Sequence, residues 1–315
     1  MTTTVELHGT GGVTLRADLY EPVAPGSGWS LVLCPGYAST AALMAGWGER
    51  LAAAGHLVGV PHYRGYGDGS PVGRIFPDEH VDDARALAHL LAGAPADGPR
   101  RRVAVVGVSY GGAVAVEAAA VDSTVDAAVS IVGYGSGARH LAALRRHHEW
   151  LDLLDRVAAD RFRRARTGVS DAIEIDDVLV REEEGRRWRR QVEQLHPEMR
   201  FAITLESVDR LLTFAPDRLL PFRRHVPLLV IAAERDRMIP AKETERVHRR
   251  ARHPKRLVTL PGAEHHDVHQ GTAFERCLEE IEDFLTNAAT TRGAGPPGAS
   301  PPDHTPRAEQ GAASP

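Results

Sequence analysis

Cysteine is nearly missing from this 315-residue chain, with Cys34 and Cys277 the only two. They stand far apart and form no C-x-x-C, which excludes a disulfide framework and a cysteine-based zinc site. Both read as buried, reduced, small apolar residues. No run of about 18 apolar residues is present to span a bilayer, and the start, MTTTVELHGTGG, has neither a basic nor an apolar leader region. The expected location is cytoplasmic, without a membrane partner. A charge excess is missing as well: 38 Lys and Arg against 42 Asp and Glu give a net charge of -4, so no global field gathers nucleic acid. The sixteen histidines contain no H-E-x-x-H, and the pairs His147-His148 and His265-His266 are adjacent residues that cannot share a helix face, so no metal is expected. G-x-x-x-x-G-K-[ST] does not occur, and Gly65-Tyr66-Gly67-Asp68-Gly69 lacks the strand-to-helix context of a dinucleotide loop. No cofactor is expected, and no internal repeat suggests a solenoid or propeller.

What the chain does contain is short apolar runs alternating with helical patterns, the mark of a mostly parallel sheet covered on both faces. Alternation over Thr3 to His8 and Val13 to Tyr20, with Gly9-Thr10-Gly11-Gly12 between, predicts an edge hairpin. Buried strands are expected at Leu31 to Cys34, Leu57 to Pro61, Arg102 to Val108, Ala127 to Val132, Pro227 to Ala233 and Arg256 to Leu260. Helices are expected near Ala41 to Ala54, Asp78 to Leu91, Gly111 to Ala120, Ala241 to Arg252 and Thr272 to Asn287. Six strands plus the hairpin give an α/β fold with a doubly wound, mostly parallel, eight-stranded sheet.

From Arg139 to Arg224 no strand-like run occurs, only amphipathic stretches dense in Arg, Glu and Asp. This predicts a helical cap (139-224) inserted after the sixth strand and lying over the ligand end of the sheet, with 1-138 and 225-288 as the core. The runs Arg161 to Arg166 and Arg186 to Arg190 read first as solvated helix faces with i,i+4 pairs. Recognition of an anionic substrate handle is their alternative reading. Trp150, Phe162, Trp188, Phe201 and Phe214 read first as helix core, with pocket lining as the alternative. The Pro-, Gly- and Ala-rich end, 289-315, is expected to be a disordered tail. A homodimer through the cap is compatible with its apolar content.

Chemistry concentrates at Val103 to Ala113, where an apolar strand runs into Gly107-Val108-Ser109-Tyr110-Gly111 and then an Ala-rich helix. G-x-S-x-G in that context places the serine on a sharp turn above the sheet, and Gly107 and Gly111 let strand and helix approach closely. Together with His62-Tyr63-Arg64-Gly65-Tyr66-Gly67-Asp68-Gly69 and Gly262-Ala263-Glu264-His265-His266-Asp267, the Ser-Tyr-Gly-Gly elbow resembles the α/β-hydrolase superfamily. Within it, the branch of prolyl-oligopeptidase-like and dienelactone-hydrolase-like esterases is the one the chain looks like.

The resemblance implies a triad in the order Ser, acid, His. Ser109 is the nucleophile. Asp236, in Glu234-Arg235-Asp236-Arg237-Met238-Ile239-Pro240 after the seventh strand, stands where the family's acid does, with Glu234 as its rival. His265 matches the family's Gly-Ala-x-His, with His266 as its rival and Asp267 capping or orienting the loop. His62, His80 and His269 read as structural or exposed. The oxyanion donors implied are the N–H of Tyr110 and that of Tyr37, in Cys34-Pro35-Gly36-Tyr37-Ala38-Ser39, where Pro35 replaces the family's usual histidine.

The reaction expected is cleavage of a carboxylic ester of a small-molecule acyl substrate through an acyl-enzyme. The same intermediate serves a thioesterase, a peptidase, a C-C hydrolase or an acyl-transferring or cyclising tailoring enzyme of natural-product metabolism. A non-catalytic binding module is the third reading.

Overall fold

In the computed structural model, which describes residues 2–23, 28–93, 100–221 and 226–291, the apolar runs pair into one large sheet. The strands are β1 (Thr2–His8), β2 (Thr14–Tyr20), β3 (Trp29–Cys34), β4 (Leu57–His62), β5 (Val72–Gly73), β6 (Arg102–Val108), β7 (Val125–Ile131), β8 (Ala172–Ile173), β9 (Ala202–Thr204), β10 (Leu228–Ala233) and β11 (Lys255–Leu260). Eight of them form the main sheet in the order β1-β2-β4-β3-β6-β7-β10-β11. The β1-β2 hairpin and the β2-β4 pair are antiparallel, and every later pair is parallel. This is the expected doubly wound, mostly parallel sheet.

The helices are α1 (Ala45–Ala53), α2 (Pro77–Ala92), α3 (Tyr110–Val121), α4 (Gly137–Ala143), α5 (His147–Thr167), α6 (Ile175–Val178), α7 (Glu183–Leu195), α8 (Leu205–Thr213), α9 (Ala241–Arg250) and α10 (Gly271–Thr291). Two cores result, because side chains alternate across a strand. Val103 and Val105 of β6 join Leu87 of α2, Val114 of α3 and Val247 of α9, whereas Ala104, Val106 and Val108 join Trp47 and Leu51 of α1 and Ile281 of α10. The helix expected over Ala41 to Ala54 opens instead as a 3-10 turn, Ala41–Met44, before α1. At the other end α10 runs to Thr291, past the expected core limit, and residues 292–315 of the expected tail lie outside the described residues.

The segment between β7 and β10 carries α4 to α8, as a helical cap after the sixth strand of the main sheet. It is not free of strands, however. β8 and β9 pair with β5 from the core as a second sheet in the order β5-β9-β8. Strands of two or three residues leave no alternation long enough to register in a sequence. Their effect is mechanical: β9 joins the loop after β4 in parallel, and the Ile75 N–H donates to Ser207 Oγ of α8 at 2.9 Å.

Backbone approach is closest where β6 turns into α3. A Cβ on Gly107 would lie 1.9 Å from the Gly111 carbonyl oxygen, and one on Gly111 would lie 2.0 Å from the Cys34 carbonyl oxygen. Both contacts are backbone on backbone, so no rotamer relieves them. Gly107→Ala or Gly111→Ala is therefore expected to cost at least about 3 kcal/mol. Gly46→Ala, on an exposed stretch of α1 with nothing within 4 Å, should instead stabilise by about 0.5–1 kcal/mol. Urea unfolding midpoints of the three variants check both signs.

His80 and His140 are buried in the interior. Desolvation pulls His80 and His140 down from 6.5 to about 3 each. Both are neutral in the native state, whereas the unfolded chain protonates them below pH 6.5. Their stabilising contribution is thus complete above pH 6.5 and is lost as pH falls toward 3, at up to about 1.4 kcal/mol per pH unit for each. The urea midpoint should fall between pH 6.5 and 4.5, and His80→Gln should flatten that slope. An unchanged slope in the variant would show that protonation of His80 is not part of the acid unfolding.

Candidate active site

Ser109 occupies the turn between β6 and α3 with φ 59° and ψ -121°. Positive φ is unfavourable for a residue with a side chain and persists only where the surroundings fix it. Here the Ser109 N–H donates to the Ile131 carbonyl at 2.8 Å and the Ser109 carbonyl accepts the Gly112 N–H at 2.9 Å. Ala38 (φ 54°) follows β3, and Val132 (φ 43°) follows β7. Among the described residues, the three non-glycine positions with positive φ thus all stand past the carboxyl ends of β3, β6 and β7, around one point.

His265 comes to that point from the loop after β11. Its Nε2 lies 3.0 Å from Ser109 Oγ, and its Nδ1 lies 2.7 Å from Asp236 Oδ2. Asp236 is fixed by its own turn after β10, where Oδ1 accepts the N–H groups of Met238 at 2.9 Å and Ile239 at 2.7 Å. Asp236 and His265 are buried and Ser109 is half-buried. With a carboxylate accepting from Nδ1–H, the lone pair of Nε2 faces the serine hydroxyl, which donates to it.

The rival residues are engaged elsewhere. Glu234 Oε2 accepts the Gly262 N–H at 2.7 Å, fastening the start of the His265 loop. The His266 ring lies flat on Trp188 of α7, with centroids 3.8 Å apart and planes 8° from parallel, and desolvation pulls it down to about 2. Asp267 Oδ2 accepts the Glu264 N–H at 2.8 Å, which orients the same loop. His62 pairs with Asp18 at 3.0 Å, His269 Nδ1 accepts the Trp47 indole N–H at 3.3 Å, and His80 Nδ1 bonds the Tyr110 hydroxyl at 2.8 Å.

Tyr110 is the first residue of α3, where helix N–H groups have no intrahelical acceptor, and the Ser109 side chain does not cap it. Tyr37 lies on the loop after β3. That loop abuts the serine, since a Cβ on Gly36 would be 3.8 Å from Ser109 Cβ. The Tyr37 and Tyr110 rings meet edge to face at 5.5 Å.

The cap closes over these residues. A cavity of about 240 Å³ lies between α7 and the His265 loop, with Val180, Glu184, Trp188, Arg237, Met238 and His265 in its wall. The charged runs of the cap are ion-paired. Arg161 and Arg164 of α5 engage Asp209 of α8, Arg164 also engages Asp160, Arg163 pairs with Asp171, and Arg186 and Arg190 pair with Glu183. Half of these pairs join separate segments, and the other half lie within one helix. Arg189 differs, because it is buried and donates to the Ala38 carbonyl at 3.3 Å and to the Met199 carbonyl, tying α7 to the Tyr37 loop. Among the aromatics, Phe201 and Phe214 are core, packing on Tyr66 and Tyr110, Trp150 is partly buried, and Phe162 is exposed. The stack of Trp188 on His266 carries no sequence signal, because the rest of the cap, β10, α9 and β11 lie between the two residues in the chain.

No group of three His, Cys, Asp or Glu able to hold a metal occurs among the described residues, and none of their helices is long and apolar enough to cross a membrane. A family model described as serine aminopeptidase, S33, matches residues 27–270. Uncharacterized protein Rv2307c of Mycobacterium tuberculosis is 28% identical over 280 residues, covering 88% of this chain and 77% of that protein. Among solved structures, DcsB in complex with its substrate analogue is similar with a TM-score of 0.77 and 20% identity, over 91% of this chain and 100% of that one. The monoacylglycerol lipase of Paleococcus ferrophilus is similar with a TM-score of 0.64 and 16% identity, over 87% of this chain and 99% of that one. The elbow, the sheet order and the family match over residues 27–270 agree, and the chain belongs to the serine aminopeptidase S33 family of α/β hydrolases.

Proposed function

We propose that the protein is a serine hydrolase that cleaves a carboxylic ester of a small acyl compound through an acyl-enzyme on Ser109. The observation that carries this reading is the unbroken chain from Ser109 Oγ to His265 to Asp236, at 3.0 and 2.7 Å, with the carboxylate held by two backbone N–H groups. A serine hydroxyl is a weak nucleophile and needs this arrangement to act. In the reading, Oγ attacks the ester carbonyl while His265 Nε2 takes its proton, and Asp236 stabilises the imidazolium. The N–H groups of Tyr37 and Tyr110 donate to the developing oxyanion. The C–O bond then breaks, and the alcohol leaves with the proton from Nε2. Water attacks the acyl carbonyl, gives a proton back to Nε2, and Ser109 departs with it as the acid is released. The likeness to a monoacylglycerol lipase supports ester chemistry, although it is a likeness of fold.

Intact-mass labelling with a fluorophosphonate should give one adduct on the wild type and none on Ser109→Ala. Ser109→Ala should lower kcat on an activated p-nitrophenyl ester by about 10⁴–10⁶-fold, and Asp236→Asn by about 10²–10⁴-fold. Full turnover in Ser109→Ala overturns the reading. Turnover of acyl-thioesters or aminoacyl amides with none of esters keeps the acyl-enzyme and replaces the bond. A folded protein that takes no adduct makes the chain a binding module on a hydrolase scaffold.

A further inference from the structure

Beyond the triad, the walls around Ser109 hold buried polar atoms that no described residue satisfies. Tyr37 Oη, Tyr134 Oη, His140 Nδ1 and Arg181 Nε have no hydrogen-bond partner among the described residues, and each residue is no more than 7% exposed. Burying a polar atom unpaired is unfavourable, and native structures keep such atoms few. These four lie together. Tyr37 is on the loop against Ser109. Tyr134, just past β7, stacks on His140 of α4 with centroids 4.7 Å apart and planes 14° from parallel. Arg181 precedes α7 and runs beneath it, since a Cβ on Gly185 would touch Arg181 Cβ at 3.3 Å. The Arg181 charge acts on the Tyr37 hydroxyl and on His266, the Tyr37 hydroxyl acts on that of Tyr134, and His140 is within the field of His265.

The charges decide the class of ligand. His140 is held neutral by burial, so Arg181 is the one cation of the four. Its partner Asp176 is 57% exposed and engages Nη1, while the Arg189 charge adds positive potential. A guanidinium Nε–H and two phenol hydroxyls are donors, and one partly compensated cation matches one negative charge rather than two. A planar carboxylate meets these demands, and a dianionic phosphate exceeds them.

We propose that Tyr37, Tyr134, His140 and Arg181 form a carboxylate-binding subsite beside Ser109, so that the ester cleaved carries a free carboxylate, as a monoester of a dicarboxylic acid does. The subsite's catalytic use rests on the serine-hydrolase reading, whereas its binding of a carboxylate does not. The test has two arms, applied to the full chain as wild type, Arg181→Met and Tyr134→Phe, each checked for cooperative thermal unfolding.

In the first arm, calorimetric titration with glutarate is compared with glutaramide and with inorganic phosphate. Glutarate should bind, glutaramide should bind at least about tenfold more weakly, and Arg181→Met should weaken glutarate by about tenfold or more. In the second arm, kcat/KM is compared for 4-methylumbelliferyl hemiglutarate and the neutral 4-methylumbelliferyl pentanoate. The wild type should prefer the hemiester, with the preference falling about tenfold in Arg181→Met and less in Tyr134→Phe, which removes a single hydroxyl. Equal binding of glutaramide, tighter binding of phosphate, or an Arg181→Met loss that is equal for both esters overturns the subsite. If Ser109 takes no fluorophosphonate while glutarate binding still depends on Arg181, the hydrolase reading fails and the subsite stands. An active hydrolase indifferent to the carboxylate fails the subsite alone.

Discussion

The backbone of β6 turns into α3 with so little clearance that the Gly111 carbonyl fills the space a Gly107 side chain would need, and the Cys34 carbonyl fills the space at Gly111. The end of β3, the end of β6 and the first turn of α3 are thereby packed backbone to backbone. From that packing follow the positive φ of Ser109, the position of the Tyr37 loop against it, and an α3 that begins directly after the serine. The two cores are arranged around this contact, with α3 buried on nearly every side by β6, β7, α2 and the cap. Strain at Ser109 is therefore sustained by the packing of the whole sheet rather than by the loop itself.

The elbow was legible in the sequence because the constraint is local. A carbonyl at 1.9 Å from a would-be Cβ admits glycine alone, so the geometry writes itself as G-x-S-x-G next to an apolar strand. The main strands were legible for a related reason, since burial on both faces demands runs of Val, Leu, Ile and Ala. Asp236 and His265 were placed by likeness to a family, and residues alone left Glu234 and His266 as rivals. What separates them is three-dimensional: Glu234 bonds the Gly262 N–H, and His266 is held by Trp188 from a different element. The small β5-β9-β8 sheet was invisible because two-residue strands carry no period. Arg181 carries no such signal, as a single arginine beside Glu182, Glu183 and Glu184 looks like surface in a sequence dense in both.

Arginine in the cap has two physical fates, and the difference is burial. Arg161, Arg163, Arg186 and Arg190 pair at the surface, where an ion pair is worth about 0–1 kcal/mol. They shape the cap's outside and set its solubility more than its stability. Arg181 and Arg189 lie within it. Arg189 spends its donors on the carbonyls of Ala38 and Met199 and on Glu193, so its charge and hydrogen-bonding capacity are used in holding α7 to the Tyr37 loop. Arg181 has one surface carboxylate and a buried Nε with none. Two buried arginines eight residues apart thus differ in that Arg189 holds α7 to the Tyr37 loop while Arg181 keeps a buried Nε without a partner among the described residues.

How firmly that roof is held varies along it. At one end the cap is joined to the core by the β5-β9 ladder and by Arg139, which reaches Asp217 and Glu243 across the end of the sheet. Asp217 is 1% exposed, so removing Arg139 would leave its carboxylate buried with only Arg246 near it, at 3.7 Å. At the start of α7 the ties are of another kind: Glu182 pairs with Arg237 while both remain more than 60% exposed, and Trp188 lies on His266 by stacking alone. Those contacts border the 240 Å³ cavity that reaches His265. The strongly anchored end fixes the geometry of the cap relative to Ser109. At the weakly tied end the contacts are screened and non-directional, so they add little to the stability of the cap.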